Sequence, residues 1–180
     1  MKYFILFIKK TLRFLLKPLS FIPALVMMYL IFGFSGQDGA ESSSLSYQVA
    51  KMLVLAYNKI MDKGFDNATL EAVITVIHPY VRKCAHVTEY FFLAMAVSLP
   101  MYVYRIRGFG LTVLATLFCV AFALLDEYHQ TFVPGRVGDI RDVRIDSIGI
   151  VAGVIVVRIV GFIGRKTIFS FLSLDKKDRK

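Results

Sequence analysis

The chain has 180 residues, 57% of them hydrophobic and 14% aromatic, with a mean hydropathy of +0.62. The length allows one domain or at most two, and the hydropathy excludes both disorder and an ordinary soluble domain. A net charge of +9 on so apolar a chain leaves two readings, a nucleic-acid partner or an uneven placement of charge across a bilayer.

The N-terminal stretch, residues 1–18, interleaves Lys9, Lys10 and Arg13 with aromatic and aliphatic residues. Lys9, Arg13 and Lys17 recur every four residues, so the spacing predicts an amphipathic helix lying at a membrane surface. A cleaved signal peptide is the competing reading. No A-x-A-like site follows Phe34, which favours an uncleaved anchor.

A bilayer core takes roughly 17–25 apolar residues per helical span. Four segments approach that length: 19–34, 85–104, 109–125 and 147–163. The expected fold class is therefore an all-α membrane protein, a bundle of about four transmembrane helices in one domain.

Residues 35–84 form a long first connection. A polar stretch from Ser35 to Ser46 opens it, and two amphipathic helices are expected to follow. One carries Leu45, Val49, Met52, Leu53, Ala56 and Ile60 on a single face; the other carries Leu70, Val73, Ile74 and Ile77. Gly64-Phe65-Asp66-Asn67 reads as the turn between them, and His78-Pro79 as the end of the second. Both are expected to lie on the bilayer or cap the bundle.

Four spans put both termini on one side. The basic N-terminus, Arg105, Arg107, Arg158 and the tail then give that side 14 basic residues against Asp175 and Asp178. The other side holds 8 basic and 11 acidic residues. The positive-inside rule places both termini in the cytoplasm. The basic excess is thereby used in topology and in contact with anionic headgroups, and no nucleic-acid partner is needed.

The remaining polar residues gather at the outer ends of three spans. Arg82, Lys83, His86 and Glu89 lie at one end. Asp126, Glu127, His129 and Gln130 lie at the next. Arg136, Asp139, Arg141, Asp142, Arg144 and Asp146 lead into the last. Spacings of three and four residues put each set on a helix face. Charges this close to the apolar core normally face a bundle interior or a water-filled cavity. Glu89 and Asp146 are expected to be the most submerged, with Arg82, Lys83 or Arg136 as partners. Polar helix ends at an interface are the bland alternative for any one of these residues; the set of them exceeds what anchoring requires.

Acid/base chemistry would fall to His86, Glu89, Asp126, Glu127 and His129. Ligand binding would fall to Arg82, Lys83, Gln130, Arg136, Asp142 and Asp146. No H-E-x-x-H or G-x-S-x-G motif is present, and neither metal nor cofactor is expected. Cys84 and Cys119 are too far apart along two spans to be expected as a disulfide. Gly149 and Gly153 form a G-x-x-x-G, read as packing within the chain.

The run Asp126-Glu127-Tyr128-His129-Gln130-Thr131-Phe132-Val133-Pro134-Gly135-Arg136 is similar to the D-E-x-H-Q-x-F-x-P-G-R signature of VanZ-like membrane proteins. Asp142-Val143 followed by Asp146-Ser147-Ile148-Gly149 fits its continuation. Arg82 to Tyr90 resembles the earlier R-K-x-x-H-x-x-E-Y element, and Ser35 to Gln37 with Ser42 to Ser44 resembles the first-loop segment. The resemblance implies a bacterial plasma-membrane protein acting at the cell envelope, in a family linked to teicoplanin-type glycopeptide resistance. Three expectations follow. The outer pocket binds a lipid-linked cell-wall precursor or the antibiotic; it is an enzyme site acting on a lipid phosphate or precursor; or the cluster only fixes helix register.

Overall fold

The computed structural model describes residues 17–166, with side chains as far as Ile163. The predicted N-terminal surface helix and the basic tail lie outside the described residues. Among those described, the chain is all helical. A 3-10 turn at Pro18–Phe21 leads into α1 (Ile22–Ser35), followed by α2 (Gly39–Ile60), α3 (Asn67–Val103), α4 (Gly108–Gln130) and α5 (Ile140–Lys166). The first turn with α1, and α3, α4 and α5, are long and apolar enough to cross a membrane. Three of them contain an expected segment whole, 19–34, 109–125 and 147–163, and α3 contains 85–104 except for its last residue, Tyr104.

The bundle interior is built from small and medium side chains. Tyr90, Leu93, Ala94 and Val97 form one face of α3, and Leu111, Ala115, Cys119 and Ala123 recur every four residues on α4. Ile150 and Val154 complete the core from α5. Gly149 and Gly153 pack α5 on α3 within the chain: a Cβ on Gly149 would lie 2.1 Å from the Val87 carbonyl oxygen. Large apolar residues such as Tyr29, Leu117, Phe118, Ile148 and Ile159 are exposed instead. Small residues inside and large apolar ones outside is the arrangement expected of helices packed in lipid.

Helix α3 departs from expectation. It has 37 residues, about 55 Å at about 1.5 Å per residue, and continues through Pro79, where the sequence predicted a stop. Proline removes a helical hydrogen bond and disfavours helix in the residue before it. Here the helix is held on both sides of the proline, by α2 before it and by α5 after it. The N-terminal half of α3 and α2 form an antiparallel hairpin, an arm with its own small core of Ala50, Val54 and Ile74. Asp38 and Asp66 cap its two helices by accepting from the backbone N–H of Glu41 and Thr69. The Asp38 cap starts α2 at Gly39, inside the stretch read as a polar connection.

The apolar face of α2 read from the spacing, with Leu45, Val49, Met52, Leu53 and Ile60, is exposed and is not the face turned to α3. The face against α3 is Ser46, Ala50 and Val54. Small residues there let the helix axes approach closely. Leu70, Val73, Ile74 and Ile77 do form the contact face of α3, as their spacing predicted.

Candidate functional site

Three helix ends meet at one end of the bundle, where the arm begins. Helix α4 finishes at Gln130 in a series of tight turns. The N–H groups of Thr131, Phe132 and Val133 donate three residues back, and Arg136 N–H donates to the Val133 carbonyl. Gly135 has φ +72°, open to glycine at no cost. The turn folds back over α4, so that Asp139 N–H donates to Glu127 Oε2 at 2.8 Å. Gly138 sits where a Cβ would lie 2.3 Å from the Glu127 carbonyl oxygen. Gly39 N–H donates to the Pro134 carbonyl at 3.0 Å, tying the turn to the start of α2. The serine-containing first connection and the P-G-R turn are thus one substructure.

Below this turn lies a buried polar layer. Asp126 Oδ2 accepts from Tyr90 Oη at 3.3 Å and from Gln130 Nε2 at 3.4 Å. Gln130 Nε2 also reaches Glu127 Oε1 at 3.4 Å. Asp126, Glu127, Gln130 and Asp146 are all buried. Asp126 Oδ1 and Asp146 Oδ1 have no hydrogen-bond partner among the described residues. Buried polar atoms are normally paired, and unpaired ones mark water or a ligand site as readily as strain.

Arg136 is the residue that links this layer to open space. It is 8% exposed. Nη2 donates to the Phe34 carbonyl at 2.9 Å, whereas Nε and Nη1 are buried without partners. Phe34 is in the last turn of α1, where carbonyls favour a cation; its carbonyl also accepts from Gln37 N–H at 3.3 Å. Burial, reinforced by the nearby charge of Arg82, pulls the Arg136 pKa below its usual value. A guanidinium nonetheless remains charged at physiological pH.

Two adjoining cavities open here. One, of about 340 Å³, is lined by His78, Arg82, Lys83, His86, Asp142 and Asp146. The other, of about 230 Å³, is lined by Gln37, Ser42, Arg82, His86, Glu89 and Arg136 among others. Arg82 and His86 form the wall that both share. Lys83 pairs with Asp142 at 2.8 Å, a half-exposed bridge between α3 and α5. His86 Nδ1 lies 3.6 Å from Glu89 Oε2.

The site residues predicted from sequence therefore divide into three groups. Arg82, Lys83, His86, Glu89, Arg136, Asp142 and Asp146 line the cavities. Asp126, Glu127 and Gln130 form the layer beneath and hold the turn. His129 lines neither cavity; it stacks on Phe32 with ring centroids 4.0 Å apart, and its Nδ1 is buried with no hydrogen-bond partner among the described residues. Among the described residues no ion pair within 4 Å joins Glu89 or Asp146 to Arg82, Lys83 or Arg136; Lys83 takes Asp142, and Glu89 lies beside His86 on a cavity wall it shares with Arg82 and Arg136. His78, expected only as part of a helix stop, lines the larger of these two cavities, four residues before Arg82 and eight before His86. Continuation of the helical face through Pro79 was the signal for it. Cys84 is exposed and Cys119 buried, and both are free. Among the described residues, no three His, Cys, Asp or Glu side chains converge as a metal cage would require.

Chemically, the cavities present guanidinium, ammonium and imidazole groups together with the carboxyl groups of Glu89, Asp142 and Asp146, around a space the size of a small anion or headgroup. No curated protein and no solved structure shows significant similarity to the chain. The VanZ/LLP1 family model matches residues 20–161, which covers all but the outermost residues of the four candidate spans and includes the D-E-x-H-Q end of α4 and the P-G-R turn. The chain is a multi-pass membrane protein that belongs to the VanZ/LLP1 family.

Proposed function

We propose that the protein binds the anionic headgroup of a lipid-linked cell-envelope precursor in the cavities beside Arg136. The site would face outward from a bacterial plasma membrane, with both termini in the cytoplasm. Tolerance of teicoplanin-type glycopeptides would be one consequence of holding such a precursor, or the antibiotic itself, at the membrane surface. The observation that carries this reading is Arg136: a buried guanidinium with Nε and Nη1 unpartnered beside a cavity. Leaving donors of a buried cation unpaired is costly, and phosphate or carboxylate satisfies a guanidinium fork in two parallel bonds. Arg82 on the shared wall adds a second cation, while the Lys83 charge is already matched by Asp142.

The test is binding of a polyprenyl pyrophosphate, the anchoring part of such precursors, to the purified protein in neutral detergent. Arg82→Gln and Arg136→Gln are expected to weaken it roughly ten- to a hundredfold, in line with about 1.5–3 kcal/mol for a hydrogen bond to a charged group. Cells carrying the variants are expected to lose any protection that wild type confers. Full protection by charge-neutralised variants would sink the proposal.

A second reading is enzymatic. His86 and Glu89 face each other on the cavity wall, an acid/base pair positioned for a lipid phosphate or precursor. Turnover of lipid-linked precursors by wild type, with and without chelator, decides it. Binding without turnover across phosphate and amide substrates leaves the receptor reading standing alone.

A further inference from the structure

The opposite end of the bundle holds a second, larger cavity of about 590 Å³, between the start of α4 and the last turns of α5. Its apolar lining includes Leu111, Ile155, Ile159 and Phe162, and its polar rim is Tyr102, Arg107 and Arg158. Arg158 Nη1 donates to Thr112 Oγ1 at 3.2 Å, which steers the guanidinium toward the first turn of α4. The Arg107 guanidinium lies 5.0 Å from the centre of the Tyr102 ring. Tyr102 Oη in turn donates to the Gly161 carbonyl at 3.3 Å, closing one side of the groove. Arg107 is the N-cap of α4 and makes no side-chain cap bond there. The positive end of that helix dipole therefore adds to the two arginines.

Charge at this end is one-sided. Lys17, Arg105, Arg107 and Arg158 all lie here, and no carboxylate occurs between Tyr90 and Leu125 or between Ser147 and Lys166. The tail beyond Lys166 sets Lys176, Lys177, Arg179 and Lys180 against Asp175 and Asp178, so it is a poor counter-ion. Arg158 lies several residues inside a helix long enough to span the membrane. A lone cation at that depth requires an anion or a route to the headgroups. Basic pockets between membrane helices take the headgroups of anionic lipids, and an apolar groove beside one takes an acyl chain.

We propose that this groove is a binding site for an anionic phospholipid of the surrounding bilayer. Its phosphate would sit between Arg107 and Arg158, and an acyl chain would lie along Leu111, Ile155 and Ile159. The site is separate from the cavities beside Arg136 and does not depend on what they bind.

Native mass spectrometry of the full chain in neutral detergent tests this, titrating phosphatidylglycerol against phosphatidylcholine of the same acyl chains. Wild type is expected to retain phosphatidylglycerol preferentially. Arg107→Gln with Arg158→Gln is expected to lower that retention roughly 30-fold, since each basic residue near a surface counts for about one kcal/mol of attraction to anionic lipid. Arg105→Gln, on the neighbouring turn, is expected to keep the preference. A photoactivatable phosphatidylglycerol is expected to label the peptide containing Ile155 and Ile159 in wild type, a readout that needs no variant to fold. Equal retention of both lipids, unchanged retention in the double variant, or labelling elsewhere would overturn the proposal. So would preferential retention that appears only after the tail beyond Lys166 is removed, because the groove would then belong to the tail.

Discussion

Arg136 Nη2 donates to the carbonyl oxygen of Phe34 at 2.9 Å, joining residues 102 positions apart. One side chain thereby caps the end of α1 and presents its other nitrogens to a cavity. Arg136→Lys keeps the charge but not the fork, because an ammonium cannot reach two acceptors in fixed geometry. We expect Arg136→Gln to destabilise the fold by about 1–3 kcal/mol through the lost charged hydrogen bond. Arg136→Lys should recover part of that stability but not headgroup affinity. Thermal unfolding in detergent, read alongside binding, separates the two effects.

Gly149 and Gly153 set the approach of α5 to α3. A Cβ at these positions would lie 2.1 Å from the Val87 carbonyl oxygen and 2.4 Å from that of Phe91. Both obstacles are backbone, so the helices must part. Gly149→Ala is expected to cost at least about 1–3 kcal/mol, the usual range for overpacking. It would also shift Lys83 relative to Asp142, because both ride on these helices. A lower melting temperature and reduced folded yield are the measurements; an unchanged melting temperature would refute the packing assignment.

Asp66 caps α3 by accepting from Thr69 N–H at 3.0 Å. Hydrogen bonding from the Thr69 side chain, reinforced by that backbone N–H, holds its pKa below the ordinary carboxyl value. The group binds its proton less readily folded than unfolded. Its contribution is therefore complete above about pH 4, the ordinary carboxyl range, and is lost as pH falls through the lower folded value. Asp66→Ala should remove this acid-dependent part and speed amide exchange at the start of α3 at neutral pH. Exchange rates at residues 67–70, compared between pH 7 and pH 3, check both.

The arm supplies a test of orientation. Lys63 is exposed in the turn between α2 and α3. Lys63→Cys, with Cys84→Ser to remove the exposed native thiol, is expected to react with a membrane-impermeant maleimide on intact cells. Reaction only after the membrane is permeabilised would place the arm in the cytoplasm and reverse the proposed topology.

Hydrophobic length and charge asymmetry are properties of the chain as written. They suffice for four spans, because each span needs only about 20 apolar residues regardless of its neighbours. The D-E-x-H-Q and P-G-R residues were likewise legible as one polar group, and the structure brings them together at one end of the bundle. Which of them line a cavity depended on packing. His129 and Gln130 are adjacent in sequence, yet one stacks on Phe32 and the other joins Asp126. The continuity of α3 through Pro79 and the choice of Ser46, Ala50 and Val54 as the face of α2 against α3 were also beyond local reading. A helix break is decided by whether neighbours hold both sides of the proline. A buried face is decided by how closely two axes approach. Both are relations between segments, and only the tertiary structure contains them.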